Sequence, residues 1–186
     1  GSAFEGLAPR KKDNRGYDMR HLLCGAEGTL GIVTAATLRL VPAISARRTV
    51  WIGLGSPHDA LLLLRQLDHA VGPELEGFEI VPHVCLDAVL RHIPQTRAPL
   101  VDTYPWYALV ELAGDDADAL DMALQTELAV ALEAGRIADA AIAKSDRESE
   151  DFWRLRDSIS EAERAEGPAI QHDISVPVDL MPIFIA

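Results

Sequence analysis

Two strand-helix-strand units in succession after residue 48 predict an α+β fold, a sandwich in which helices cover one face of a largely antiparallel sheet. A shift in charge near residues 42–47 predicts that a shorter segment of different character precedes it. Residues 1–48 carry eight Lys/Arg against four Asp/Glu, whereas residues 49–186 carry nine against twenty-five. An apolar fraction of 48% beside 25% charged residues describes a chain that buries a core and is not intrinsically disordered. The net charge of −12 argues against nucleic acid or an anionic membrane as partner. No apolar run approaches the roughly 18 residues of a membrane span, so no transmembrane segment is expected. Two distant cysteines, Cys24 and Cys85, suggest neither a disulfide framework nor a zinc site, and read as reduced core thiols of a cytoplasmic protein.

Residues 3–17 have no period and read as loop. Asp18 caps a short helix through Leu23, which Gly25–Gly28 ends. Gly31 to Val41 is β-branched and apolar, the composition of a buried strand, stopped by Pro42. Arg48 to Leu54 is the first strand of the second part. Ser56-Pro57 then gives an N-cap and a proline in the first turn, followed by Leu61, Leu64, Leu67 and Val71 at helical spacing. Gly77 to Val81 reads as strand, Val84 to Ile93 as helix stopped by Pro94, and 94–104 as loop. Trp106 to Ala113 is strand, and Asp115-Asp116 caps a helix facing inward through Leu120, Leu124, Leu128 and Leu132. Ile137 to Ala143 is strand. Ser145 with Glu148 forms a capping box opening a long helix to about Ala165, and Ile170 to Val176 returns as strand. The order from residue 48 is β-α-β-α, then β-α-β-α-β, which predicts a ferredoxin-like sandwich.

Three glycines in the run Cys24-Gly25-Ala26-Glu27-Gly28-Thr29-Leu30-Gly31, followed by Ile32-Val33-Thr34, describe a tight backbone passage against which a flat ligand can lie. On spacing alone a Gly-rich turn before a buried strand explains them too. With Lys12 to Asp18 before it and Thr37-Leu38-Arg39-Leu40-Val41-Pro42 after it, the stretch resembles the last segment of the flavin-binding domain of FAD-linked oxidases of the vanillyl-alcohol oxidase superfamily. The branch it is most similar to is that of D-lactate, glycolate and D-2-hydroxyglutarate dehydrogenases. The resemblance implies FAD as cofactor, bordered by Glu27, Gly28, Gly31, Ile32 and Val33. It divides the chain into residues 1–42, the tail of the FAD-binding domain and its last strand segment, and residues 43–186, a substrate-binding cap domain incomplete at its C-terminus.

A second block runs Phe152-Trp153-Arg154-Leu155-Arg156-Asp157-Ser158-Ile159-Ser160-Glu161-Ala162, then Gln171-His172-Asp173-Ile174-Ser175-Val176-Pro177. On one helix Phe152, Arg156 and Ser160 lie one turn apart. A guanidinium beside a hydroxyl can hold a carboxylate through two parallel hydrogen bonds, while the plainer reading is a surface arginine paired with some acid. The block resembles the Trp-x-x-Arg helix and Asp-x-Ser-x-Pro strand of the same family's cap domain. That resemblance makes Arg156 and Ser160 binders of a small carboxylate substrate. It adds Gln171, where the family carries a basic residue, so the case for a second carboxylate is weakened.

Glu79 and Glu111 interrupt predicted strands and, if buried, need partners, for which structural pairing outweighs catalysis. The five histidines before residue 100 have no ligand-spaced partner. No catalytic base and no metal site is expected within the chain, because the family's diphosphate loop would precede residue 1 and its His-containing motifs would follow Ala186. The chain is therefore expected to be an interior piece, silent in isolation, of an enzyme that oxidises a D-2-hydroxy acid. Two other readings stay open: a non-enzymatic ferredoxin-like binding module, and a flavin oxidase of a phenol or an ether lipid. The electron acceptor is unreadable, and a homodimer is the assembly kept in view.

Overall fold

The computed structural model describes residues 3–7, 16–40, 43–172 and 174–185. The chain divides into two compact units, Gly1–Ala43 and Ile44–Ala186.

The first unit holds one short helix, α1 (Met19–Leu23). Asp18 caps it, accepting from the Arg20 backbone N–H at 3.0 Å and from the Arg20 guanidinium at 2.9 and 2.7 Å. The hydrogen bonds from Arg20 hold the Asp18 carboxyl well below the usual carboxylate range. Gly25, Glu27 and Gly28 then take positive φ values of 76°, 48° and 78°. The expected strand from Gly31 is not formed: residues 31–40 have no ladder and are exposed throughout, Ile32 at 85% and Leu40 at 90%. Its β-branched composition favours a pleated, half-buried surface, but a strand exists only by pairing, and no described segment pairs with it. Val41 and Pro42 lie outside the described residues, as does the stretch 8–15 that contributes to the family likeness.

The second unit is a four-stranded antiparallel sheet in the order β2-β3-β1-β4, the ferredoxin-like order. Its strands are β1 (Ala46–Leu54), β2 (Leu75–Pro82), β3 (Trp106–Gly114) and β4 (Asp139–Ile142). Central β1 and β3 pair along their whole length, with Val50 opposite Val110 and Trp51 opposite Leu109. Both are buried almost continuously because helices cover both of their faces.

On one face lie α2 (Pro57–Val71) and α4 (Ala117–Glu133), each started by the expected cap, Ser56 and Asp116. Ala60, Leu63, Leu67, Leu120, Leu124 and Leu128 pack there on Val50, Ile52, Leu54, Ala108, Val110 and Leu112. This is the helical layer the sequence predicts. The opposite face is covered as well, by α3 (His83–His92), α5 (Asp146–Asp157) and α6 (Ile159–Glu166). Here Leu86, Val89, Phe152, Leu155 and Ala162 cluster with Trp51, Tyr107 and Leu109. The one-face expectation is corrected on this point. α3 is an addition between β2 and β3, and the amphipathic α5 and α6 have apolar sides that only the second sheet face can bury.

Two further expectations change. The long helix after Ser145 breaks at Ser158, whose backbone N–H reaches the carbonyls of both Arg154 and Arg156 in a tightened turn. The expected strand Ile170–Val176 has no ladder; Ile170 is exposed, and Asp173 lies outside the described residues. The chain ends in a 3-10 turn, Val178–Leu180, and α7 (Met181–Ile185). Among the described residues no helix is long and apolar enough to cross a membrane.

Between Leu75 and Gly77 the β2-β3 pairing holds one extra residue. Leu75 stands opposite Leu112 and Gly77 opposite Glu111, so Glu76 is bulged out. A one-residue shift of register moves every later side chain to the other face of a sheet. Glu79 is thereby opposite Leu109, on the face covered by α5, rather than opposite Ala108 on the apolar face of α2 and α4.

Candidate functional site

The sequence fixes α5 at its start. The Ser145 hydroxyl accepts from the Glu148 backbone N–H at 3.2 Å, and the Glu148 carboxylate accepts from the Lys144 backbone N–H at 2.9 Å. Three polar side chains of this helix then meet the sheet at positions i, i+4 and i+7, which share one helix face. The Ser149 hydroxyl lies 2.6 Å from that of Thr49 on β1. The Trp153 indole N–H donates to Glu111 Oε2 at 2.9 Å. Arg156 Nη2 donates to both carboxylate oxygens of Glu79 on β2 at 3.1 Å.

Glu111 is the hub of this seam. It is 8% exposed on a central strand and accepts from the Thr49 hydroxyl at 3.2 Å, from Trp153, and from the Arg47 guanidinium. Because Thr49 donates to Glu111, Ser149 is the donor to Thr49. A buried carboxylate that accepts three hydrogen bonds, one of them from a hydroxyl itself held by Ser149, is satisfied by its partners and reads as a structural group. Arg47, Thr49, Glu111, Ser149 and Trp153 line a cleft of about 710 Å³, and Thr96, Arg97, Phe152 and Arg154 line another of about the same size beside the first half of α5. Arg156, Ser160 and Gln171 line neither.

Arg156 itself is 41% exposed at the end of α5, with Asp157 3.4 Å from Nη1. Ser160 is exposed on α6, on the far side of the break at Ser158, so it and Arg156 do not share a continuous helix. Gln171 is exposed and donates its amide to Glu163 at 2.6 Å. The plainer expectation for Arg156, an arginine paired with an acid, describes its present state. It does not exclude ligand binding, since a half-exposed guanidinium with five donors retains capacity beyond the two bonds to Glu79.

In the first unit Glu27, Gly28, Gly31, Ile32 and Val33 all lie exposed along the chain after α1. A side-chain carbon added at Gly25 or Gly28 would meet nothing within 4 Å, whereas one at Gly31 would press on Leu23 at 3.2 Å. A run of positive-φ residues with open space above its main chain suits a flat, polar cofactor laid against backbone N–H groups. On that observation the residues present fit FAD.

The histidines and cysteines take ordinary roles. His92 pairs with Glu166 at 2.5 Å, and His83 approaches the Tyr107 hydroxyl at 3.4 Å. Cys85 is half-buried, and burial, with Glu163 nearby, raises its thiol pKa; Cys24 is exposed, not a core thiol as expected. Sequence reasoning singled out Glu79 and Glu111 as strand acids needing partners, and Trp153 as part of the Trp-x-x-Arg pattern, but missed Thr49 and Ser149. The signal was present as a polar stripe at i, i+4 and i+7 on an otherwise amphipathic helix.

Comparison with known proteins gives the site its context. The chain is 32% identical over 179 residues to an Arabidopsis thaliana protein named D-2-hydroxyglutarate dehydrogenase, mitochondrial, covering 96% of this chain and 32% of the relative. It is 37% identical over 175 residues to a D-2-hydroxyglutarate dehydrogenase of Xanthomonas citri pv. viticola, covering 94% and 36%. A mitochondrial D-2-hydroxyglutarate dehydrogenase of Rattus norvegicus is 31% identical over 179 residues, covering 96% and 33%. The chain thus spans about a third of the length of the curated relatives it matches. The expected cytoplasmic location is overturned by these names, since the plant and rat relatives are mitochondrial enzymes; a low cysteine count does not separate one reducing compartment from another. Residues 44–186 match the family described as FAD linked oxidases, C-terminal domain. With the whole of the second unit inside that match, the chain belongs to the FAD-linked oxidase family.

Proposed function

We propose that this chain is part of a flavin-dependent dehydrogenase that oxidises a small D-2-hydroxy acid to the 2-oxo acid. Residues 1–42 are read as the tail of its FAD-binding domain and residues 43–186 as its substrate-binding cap. The observation that carries this reading is the half-exposed Arg156 guanidinium, presented at the end of a helix whose register three polar contacts fix. Family membership and the names of the relatives support it.

In this reading Arg156 holds the substrate carboxylate, and the Ser160 hydroxyl and the Gln171 amide are assigned as further donors to the substrate. A fixed carboxylate restrains the α-carbon, and positioning of this kind supplies a large part of the rate in two-reactant chemistry. Glu27, Gly28, Gly31, Ile32 and Val33 would hold FAD, which would supply the hydride acceptor for the oxidation. Gln171 is neutral, so it contributes a hydrogen bond and no charge to a second carboxylate. No residue of this chain is assigned the base that removes the hydroxyl proton.

The test is flavin reduction by the whole protein that carries this chain, with D-lactate, glycolate and D-2-hydroxyglutarate as substrates. Arg156→Ala is expected to raise KM by about ten- to hundredfold, the equivalent of the roughly 1.5–3 kcal/mol of a hydrogen bond to a charged group. An unchanged KM for every acid contradicts the anchoring role.

A further inference from the structure

We propose that Glu79 is a positioning residue for substrate binding, acting through Arg156. The inference rests on the reading of Arg156 as the carboxylate anchor and adds a residue to it.

An arginine at a helix end swings on four rotatable bonds, and an anchor that swings must be ordered each time it binds, at an entropic cost. Glu79 removes that freedom before binding. Both of its oxygens take hydrogens of the same nitrogen, Nη2, at 3.1 Å, so the guanidinium is held from one corner. Both fork edges of a guanidinium share Nη2, so what is left for another acceptor is the single Nε–H on one side and the Nη1 hydrogens on the other, with Asp157 3.4 Å from Nη1. The acidic groups close to the anchor are thus Glu79 and Asp157, with Glu163 engaged by Gln171.

Two features of the fold exist to put Glu79 there. The bulge at Glu76 turns the carboxylate onto the α5 face of the sheet; in unbroken register it would face the apolar layer of α2 and α4. The Trp153 ring rests on β2 at Gly77, two residues earlier, close enough that an added side-chain carbon there would meet it in ordinary van der Waals contact at 3.6 Å. Trp153 is in turn tied to Glu111, so α5 is seated one helical turn before Arg156 reaches Glu79. Backbone register, the seat for the indole and the ion pair point to the same helix end.

The experiment compares Glu79→Gln, Arg156→Ala and the double variant in the whole flavoprotein, measuring KM and kcat for D-lactate and D-2-hydroxyglutarate and the thermal midpoint. The amide must give up one of the two bonds and the charge, so Glu79→Gln is expected to raise KM about fivefold, the scale of a partly exposed ion pair. kcat is expected to hold, and the KM effect to disappear in the Arg156→Ala background. A purely structural role would lower the thermal midpoint and act equally with or without Arg156, which overturns the proposal. An unchanged KM in Glu79→Gln beside a raised KM in Arg156→Ala overturns it too and leaves the anchoring role standing. An unchanged KM in Arg156→Ala removes both. If Glu79→Gln does not fold, Glu79→Asp, which keeps the charge and shortens the reach, carries the same comparison.

Discussion

The two faces of the sheet are built from the same strands by different physics. Toward α2 and α4, β1 and β3 present Val50, Ile52, Leu54, Ala108, Val110 and Leu112, and the buried centre of this face is apolar. Toward α5 the alternate residues present Trp51, Tyr107 and Leu109, then the polar row of Thr49, Glu111 and Glu79. Apolar packing is strong and without direction, so it fixes how firmly a helix is held but little about its rotation or sliding. Hydrogen-bonded pairs add little net stability, yet they are satisfied in one register only, because a misplaced partner leaves a buried group unpaired. The first face holds the domain together, and the second sets where one helix end points.

That division is broken first by Leu124→Ala. Leu124 is fully buried at the centre of the apolar face. Its truncation is expected to cost about 3 kcal/mol through lost transfer energy and the cavity left behind. Urea denaturation of the chain should show a lower midpoint at unchanged slope. A loss under about 1 kcal/mol would mean that this face collapses freely onto the gap and is not the rigid side.

Glu111→Ala attacks the other face and should cost less, about 2 kcal/mol, because it strands the Trp153 N–H and the Thr49 hydroxyl while half-exposed Arg47 returns to water. Its distinguishing mark is coupling. In a double-mutant cycle with Trp153→Phe, the two losses are expected to be non-additive by about 1 kcal/mol, since each removes the same bond. Strict additivity would show that the seam is a set of independent contacts and does not register α5 as a unit.

The sequence made the apolar face legible and the polar face only in part, and the reason lies in how far each signal reaches. Ser56 and Asp116 announce helix starts locally, and leucines at helical spacing announce which side is inward. β1 and β3 are β-rich runs between turn signals. What could not be read depends on partners distant in the chain. Residues 31–40 and 170–176 have strand composition, but pairing is a property of two segments, and neither finds one among the described residues. The bulge at Glu76 is a mismatch between two strands and has no mark in either alone. For the candidate site, Arg156 was visible as a cation on a helix and Glu79 as an acid in a strand. That they meet across 77 positions followed only from the fold. The helix break at Ser158, which separates Ser160 from Arg156, was hidden because no Gly or Pro marks it.

Neighbouring arginines on β1 give the finest form of the comparison. Arg47 turns to the polar face and pairs with buried Glu111, whereas Arg48 turns to the rim of the apolar face and grips Asp121 of α4, Nε to Oδ1 at 2.5 Å and Nη2 to Oδ2 at 2.7 Å. The hydrogen bonds from Arg48 lower the Asp121 pKa, outweighing the opposing effect of burial. A carboxyl whose folded pKa is depressed stabilises the fold fully above its unfolded value, near pH 4, and loses that contribution as pH falls through the folded value. Both side chains are partly exposed, 25% and 41%, so the pair is expected to contribute less than about 1 kcal/mol. Asp121→Asn should therefore be slightly less stable than the parent chain at neutral pH, and the two denaturation midpoints should converge as the pH is taken below about 4. A gap that persists undiminished in acid would assign the loss to the shape of the contact, and the rim of the apolar face would then owe nothing to charge.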